Sequence, residues 1–310
     1  MSLCGCHACY LQRIENGSLK KYMNDGWSHK RIWTPTEIES IGPGDICEKN
    51  KNHHCYTKQI TGDSESGGVD WWGIKGGSAK VKKLGIAGWP EGVNKAIECL
   101  GTLTMPFTKS IRRERLRGPS GDDLDIHKIM RGQFDRAWEK RKRQIAPGIG
   151  LNVTRIAVSV GANCSVDASR MFWRGAVAII LSDALEASGR SCEIVAFDTG
   201  YNSYNEEKMS INQVNVKEAG DYLDIERVSL ILCLAGYFRL HFFNAILAHS
   251  EEASGGLGQA IELYPIDDVR PGDIIITDVW SKEDAIKFIA MTMECFEQGS
   301  AVHAIDKATA

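Results

Sequence analysis

No apolar run in this 310-residue chain is long enough to cross a bilayer. The longest, Val228–Phe238, is interrupted by Ser229 and Gly236 and followed by Arg239, whereas a membrane helix needs about 20 apolar residues. The opening residues, MSLCGCHACY, lack a basic segment followed by an apolar one, so no secretory signal is expected. Both absences point to a reducing cytoplasm, with thiols in place of disulfides and no membrane partner. No glycine cluster follows a strand pattern and ends in Lys-Ser/Thr, which excludes a P-loop, and there is no dinucleotide fingerprint. A nucleophile elbow and a metal-hydrolase motif are missing as well. No motif joins His127, His241 or His249 to Cys164 or Ser165, so catalysis is not the favoured expectation. The acid pairs Asp122–Asp123 and Asp267–Asp268 read as turn and cap residues.

Charge of one sign is lacking overall, at a net −3, yet the halves differ. Residues 1–150 hold 25 Lys/Arg against 17 Asp/Glu, and residues 151–310 hold 12 against 23. A basic front and an acidic back imply different partners, or surfaces that attract each other. The basic runs are KSIRRERLR (109–117) and Lys140–Arg143. Arg112, Arg113, Arg115 and Arg117 are the candidates for contacting a nucleic-acid backbone, and a solvated face is the plainer alternative. A helix is expected from Asp122 to about Arg143, with acids at its start and bases at its end.

Of the ten cysteines, Cys164, Cys192, Cys233 and Cys295 fall in or beside apolar elements and are expected to behave as small hydrophobes. Residues 1–60 show little periodicity. There Cys4, Cys6 and Cys9, joined by Cys47, Cys55 or a neighbouring His, could supply four tetrahedral zinc ligands. The alternative is a tail of free thiols, since 37 residues separate Cys9 from Cys47. Trp71 and Trp72, in a Gly/Ser-rich stretch, are expected to plug an apolar groove of the same chain.

The strongest pattern lies in residues 151–198. Val153–Val160 is a β-branched run, Asp167–Ser188 has helical spacing, and Cys192–Phe197 is a second strand, together a βαβ unit. Ile211–Val216 reads as a further strand, at the sheet edge. Asp224–Ser250 is a buried helix kinked at Gly236, Asp273–Asp278 is a strand, and a helix capped by Ser281 runs to about Gln298 before a frayed tail. Ala260–Tyr264 reads as a short strand. The fold class is therefore α/β: a mostly parallel, Rossmann-like doubly wound sheet, helices on both faces, behind a basic cysteine-containing N-terminal extension. Residues 61–150 form a linker and basic helical region. Ligands of such sheets bind at the carboxyl ends of the strands, here Gly161–Ser165, Phe197–Asp198 and Asp278–Ser281.

Ile156–Ser165, the helix after it, Val195–Phe197 and Ile274–Asp278 resemble the core of von Willebrand factor A domains. That family holds a divalent cation with Asp-x-Ser-x-Ser after the first strand and Thr-Asp-Gly after a later one. Here the loops read Gly161-Ala162-Asn163-Cys164-Ser165 and Thr277-Asp278-Val279. The resemblance places Asn163, Ser165 and Asp278 at liganding positions and Gly161 where the leading carboxylate belongs. It implies a degenerate site at which magnesium is not expected, because a hard anionic ligand is missing. Gly88-Trp89-Pro90-Glu91-Gly92, Gly121–Gly132, Phe172-Trp173-Arg174-Gly175 and the stretch from Lys217 through Leu223-Asp224 to Arg239 are similar to a family of uncharacterised phage proteins, over roughly residues 85–298. That similarity implies a phage origin and expression in a bacterial cytoplasm. The favoured expectation is a non-enzymatic module binding an unknown protein partner, with nucleic-acid association as the alternative.

Overall fold

The computed structural model describes residues 27–51, 68–102, 115–118, 123–124, 138–141, 153–202, 205–249, isolated positions between 257 and 265, and 268–308. The chain begins with β1 (Trp27–Trp33) and α1 (Pro35–Ser40). Next come α2 (Gly68–Trp72), α3 (Gly77–Ala87) and α4 (Pro90–Thr102). A small sheet contains β2 (Arg115–Gly118), β3 (Asp123–Leu124) and β4 (Trp138–Arg141). The main unit follows, as β5 (Val153–Ser159), α5 (Ala168–Ala187), β6 (Ser191–Asn202) and β7 (Asn205–Lys217). The chain continues through α6 (Ile225–Cys233), α7 (Ala235–His249), β8 (Ile274–Ile276) and α8 (Lys282–Ala308).

The main sheet has the order β1-β7-β6-β5-β8. β5 is parallel to both β6 and β8, β6 is antiparallel to β7, and β7 is parallel to β1. The mixed α/β class and the mostly parallel pairing thus hold. β5 is buried along nearly its whole length, as a strand covered on both faces should be. The two coverings are unequal. One face carries Ile156, Val158, Ile194, Ala196 and Val214 under a thick helical layer, with α5 closest and α6, α7 and α8 in the same cluster. The other carries Ala157, Phe197, Ile211 and Ile275 under Ile261, Leu263 and Tyr264. Among the described residues no helix contributes to that second cluster, so the expected helices on both faces are replaced there by irregular chain. That chain is tied to β5 by the buried Arg155–Asp273 ion pair, with Arg155 also donating to the Asp268 carbonyl and stacking 5.4 Å from the Tyr264 ring. Asp268 pairs with Lys30 on β1, and Ala260, at the start of the expected short strand, makes an isolated bridge to Gly200.

α5 and α6 approach closely at Gly175, where an added Cβ would meet the Cys233 Sγ at 2.5 Å and the Leu232 backbone at 2.6 Å. The kink expected at Gly236 is a full break two residues earlier. Leu234 is extended (φ −89°, ψ 108°), and α6 and α7 diverge by 68°. Gly236 serves packing instead, since a Cβ there would lie 2.7 Å from the Trp72 carbonyl. Trp72 is fully buried, as expected of a groove-filling anchor.

β7 is an inner strand and β1 the edge, which corrects the placing of Ile211–Val216 at the edge. β1 shows no clear apolar alternation: Lys30 and Ile32 are exposed, and Trp33 packs against the helical layer. From there residues 34–51 enter the core. A Thr34–Glu37 capping box starts α1, Ile38 is fully buried, and Asn50 Nδ2 donates to the Leu247 carbonyl at 2.8 Å. The helix expected over 122–143 has strands at both ends, with β2 and β3 flanking β4 antiparallel. α8 continues to Ala308, past the end expected at Gln298. No single helix among the described residues is long and apolar enough to cross a membrane.

Candidate functional site at the strand ends

β5 and β8 run parallel with Val158 paired to Ile276, so the loops after them leave the sheet at the same end. The Gly161–Asp167 loop turns through a Val166 N–H to Asn163 carbonyl bond of 2.9 Å and feeds α5. Its first residues, Gly161 and Ala162, are buried, while Asn163, Cys164 and Ser165 are exposed. Asp278, at the end of β8, is exposed between buried Thr277 and Val279, and accepts from the Thr277 hydroxyl at 3.1 Å. The three liganding positions of the resemblance therefore stand at one end of the sheet, on the solvent side.

Two buried arginines tie this loop from behind. Arg174 on α5 has no exposed surface; it donates to the Ser159 hydroxyl at 3.1 Å and the Gly161 carbonyl at 2.8 Å. Its guanidinium stacks 4.2 Å from the Trp280 ring, just past Asp278. Arg239 on α7 is almost as buried and donates to the Val166 carbonyl at 2.6 Å and to the Trp71 carbonyl, with its guanidinium 3.7 Å from the Trp71 ring. A buried guanidinium is tolerated when its hydrogens meet acceptors and its flat faces meet aromatic rings. Burial lowers the Arg239 pKa to about 10, partly offset by Cys164 and Asp167, so Arg239 is charged at neutral pH.

Asp198 lies against this arrangement; it sits within β6, paired with Asn212 of β7, because the strand runs on to Asn202, past the end expected at Phe197. A Cβ on Gly161 would meet the Asp198 Oδ1 at 2.0 Å, so the carboxyl group occupies the space a side chain at 161 would need. Only glycine fits beside it. Burial raises the Asp198 pKa to about 7 against the opposing charge of Arg174. A buried acid with a raised pKa thus stands beside Gly161, near the Arg174 guanidinium.

The remaining candidates are scattered. Among the described residues no group of three or more His, Cys, Asp or Glu could hold a metal. Cys4, Cys6, Cys9 and Cys55 lie outside the described residues; Cys47 is a half-buried free thiol after α1. Arg112 and Arg113 also lie outside, while Arg115 and Arg117 are on β2, their register partners being Arg141 and Glu139 of β4. Cys192 and Cys233 are buried as expected, Cys295 is half-buried, and Cys164 is exposed because it sits on the loop tip. His241 is buried against the Tyr237 ring at 4.6 Å, with burial and the charges of Arg227 and Lys82 lowering its pKa to about 3. A neutral imidazole so enclosed is no general base for the loop. Arg174, Arg239 and Trp280 escaped the reading of the loop. Their signal was an arginine inside an apolar helical run, between Trp173 and Gly175 and between Phe238 and Leu240.

A profile of the DUF7192 family, described as a domain of unknown function, matches residues 20–299. The chain belongs to this family. Neither curated proteins nor solved structures gave a match. The family match takes in β1 and α1 along with the main sheet, in keeping with their shared core.

Proposed function

We propose that this chain is a phage-encoded, non-enzymatic protein-interaction module on a von Willebrand factor A-like core, binding its partner through the strand-end surface of Asn163, Ser165 and Asp278. The observation that carries this reading is the loop itself: an exposed tip on a backbone held at Gly161 and Val166 by two buried arginines. Such a tip is preorganised, so little ordering entropy is lost when a partner docks. The carboxyl ends of parallel strands are also where open α/β sheets place their ligands.

The test is affinity capture from host cells with wild-type chain and an Asn163→Ala/Asp278→Ala variant. Loss of the partner by the variant, at low and high salt alike, supports the proposal. Capture unchanged by both substitutions contradicts it.

One observation favours a second reading. The β2–β4 register sets Arg115 opposite Arg141 and Leu116 opposite Lys140, joining the two basic runs in one small sheet. Like charges directly opposite destabilise a strand pair, and a polyanion would relieve them. Nucleic-acid association through this sheet, aided by a zinc-binding N-terminal segment, predicts binding that falls steeply with salt and with Arg115→Ala/Arg117→Ala.

A further inference from the structure

We infer that the cavity between β1, β7 and α7 is a binding site for a small oxyanion, a phosphate or carboxylate group, held by Arg31. The cavity lies on the helical side of the sheet, away from the strand-end loop. Parallel pairing sets Arg31 beside Asn212 and His29 beside Ser210, which brings Arg31, Ser210 and Asn212 to the cavity wall. α7 closes it with Ala245, Ile246 and His249. It is a shallow hollow, open to solvent on one side, so its occupant is a single small group.

The lining chemistry sets the sign of that group. Arg31 makes no hydrogen bond or ion pair among the described residues. This separates it from Arg155, Arg174, Arg227 and Arg239, each of which has an acceptor. The Asn212 amide is oriented by Trp33, whose Nε1–H donates to Asn212 Oδ1 at 3.4 Å. The indole can only donate, so the NH₂ of Asn212 is the part left for a ligand. The Ser210 hydroxyl adds another donor. Among the described residues no carboxylate lines the cavity. A guanidinium fork with further N–H and O–H donors is the geometry that recognises planar or tetrahedral oxyanions.

His249 reports on the occupant. Its ring stacks on Trp33 at 5.0 Å. Burial first, and then the charge of Arg31, lower its pKa, while Asp45 opposes them. Asp45 itself is engaged, accepting from the Gly42 N–H at 2.8 Å. These are the charged groups that act on the imidazole from β1 and from the turn after α1; Ser210 and Asn212 on β7 are neutral. An anion on Arg31 cancels the charge that holds His249 neutral, so occupancy raises the His249 pKa.

The experiment is an NMR titration of the full chain with inorganic phosphate and separately with acetate, following the His249 ring protons across pH. The expected result is a saturable shift with an upward move of the His249 pKa. Tighter phosphate binding would indicate a phosphoryl ligand, and acetate equal to phosphate a carboxylate; both fit an oxyanion site. Arg31→Gln should weaken binding about tenfold or more, by loss of charge-assisted bonds. Lys30→Gln, one residue away and paired with Asp268, should leave it unchanged. Should Arg31→Gln fail to fold, Asn212→Asp keeps the Trp33 acceptor, puts a negative charge in the cavity and should abolish the shift. Absence of a saturable shift in the wild type, or an equal shift in Arg31→Gln or Asn212→Asp, overturns the inference.

Discussion

Arg174 and Arg239 differ from Arg31 in what they touch, and the difference separates scaffold from site. The first two are buried against Trp280 and Trp71 and donate to the Gly161 and Val166 carbonyls of the strand-end loop. Arg31 lies half-buried in a cavity wall, beside donors and without an acceptor. The same side chain thus fixes a loop in one place and awaits a ligand in another. An arginine's role follows from whether its acceptors come from the protein.

The comparison can be broken most forcefully at Arg239. Arg239→Met keeps much of the volume but leaves the Val166 and Trp71 carbonyls without their donor. It should cost roughly 3 kcal/mol or more in urea unfolding, since hydrogen bonds to charged groups contribute about 1.5–3 kcal/mol each. A cost near zero would make the clamp ornamental. Gly161→Ala should cost about 1–3 kcal/mol by the same measurement, because the new methyl overlaps the Asp198 carboxyl.

Asp198→Asn gives a smaller, pH-dependent effect. The folded pKa of about 7 lies above the ordinary carboxyl value of 3.8. The folded state therefore keeps its proton while the unfolded state loses it. The stability due to neutral Asp198 is full below 3.8, is lost as pH rises toward 7, and is gone above it. Urea midpoints of the wild type should fall across that window with a contribution on the order of 1 kcal/mol per pH unit. The Asn variant should be flatter and more stable at neutral pH. An identical pH profile in both proteins would show that Asp198 is solvated. The smallest effect is at Arg31. With no acceptor for Arg31 among the described residues, Arg31→Gln should change stability by less than about 0.5 kcal/mol, as surface substitutions do. A large loss would make Arg31 a third structural arginine.

Much of the main unit was legible in the sequence. β5, α5 and β6 follow directly from a β-branched run, a helical period and a second apolar run, because central elements bury most of their residues and show it in composition. β1 was not legible, since Lys30 and Ile32 are exposed and its partner strand lies about 180 residues away. The thin second face was hidden for a related reason. Its cover is irregular chain, held by Arg155–Asp273 rather than by periodic apolar residues. At the candidate site, the resemblance singled out Asn163, Ser165 and Asp278, and the alternation of strands and helices pointed to Phe197–Asp198, which lie inside β6. Neither revealed that Asp198 fills the space beside Gly161, because that contact joins two strands through a glycine and leaves no local pattern.

The central claim is that the clamped strand-end loop is the surface a partner meets. Amide hydrogen exchange of the chain with and without its captured partner tests it most directly. Added protection in 161–167 and 277–281 is the expected result. Protection confined to 109–143, with none at the strand ends, would contradict the account and move the function to the basic sheet.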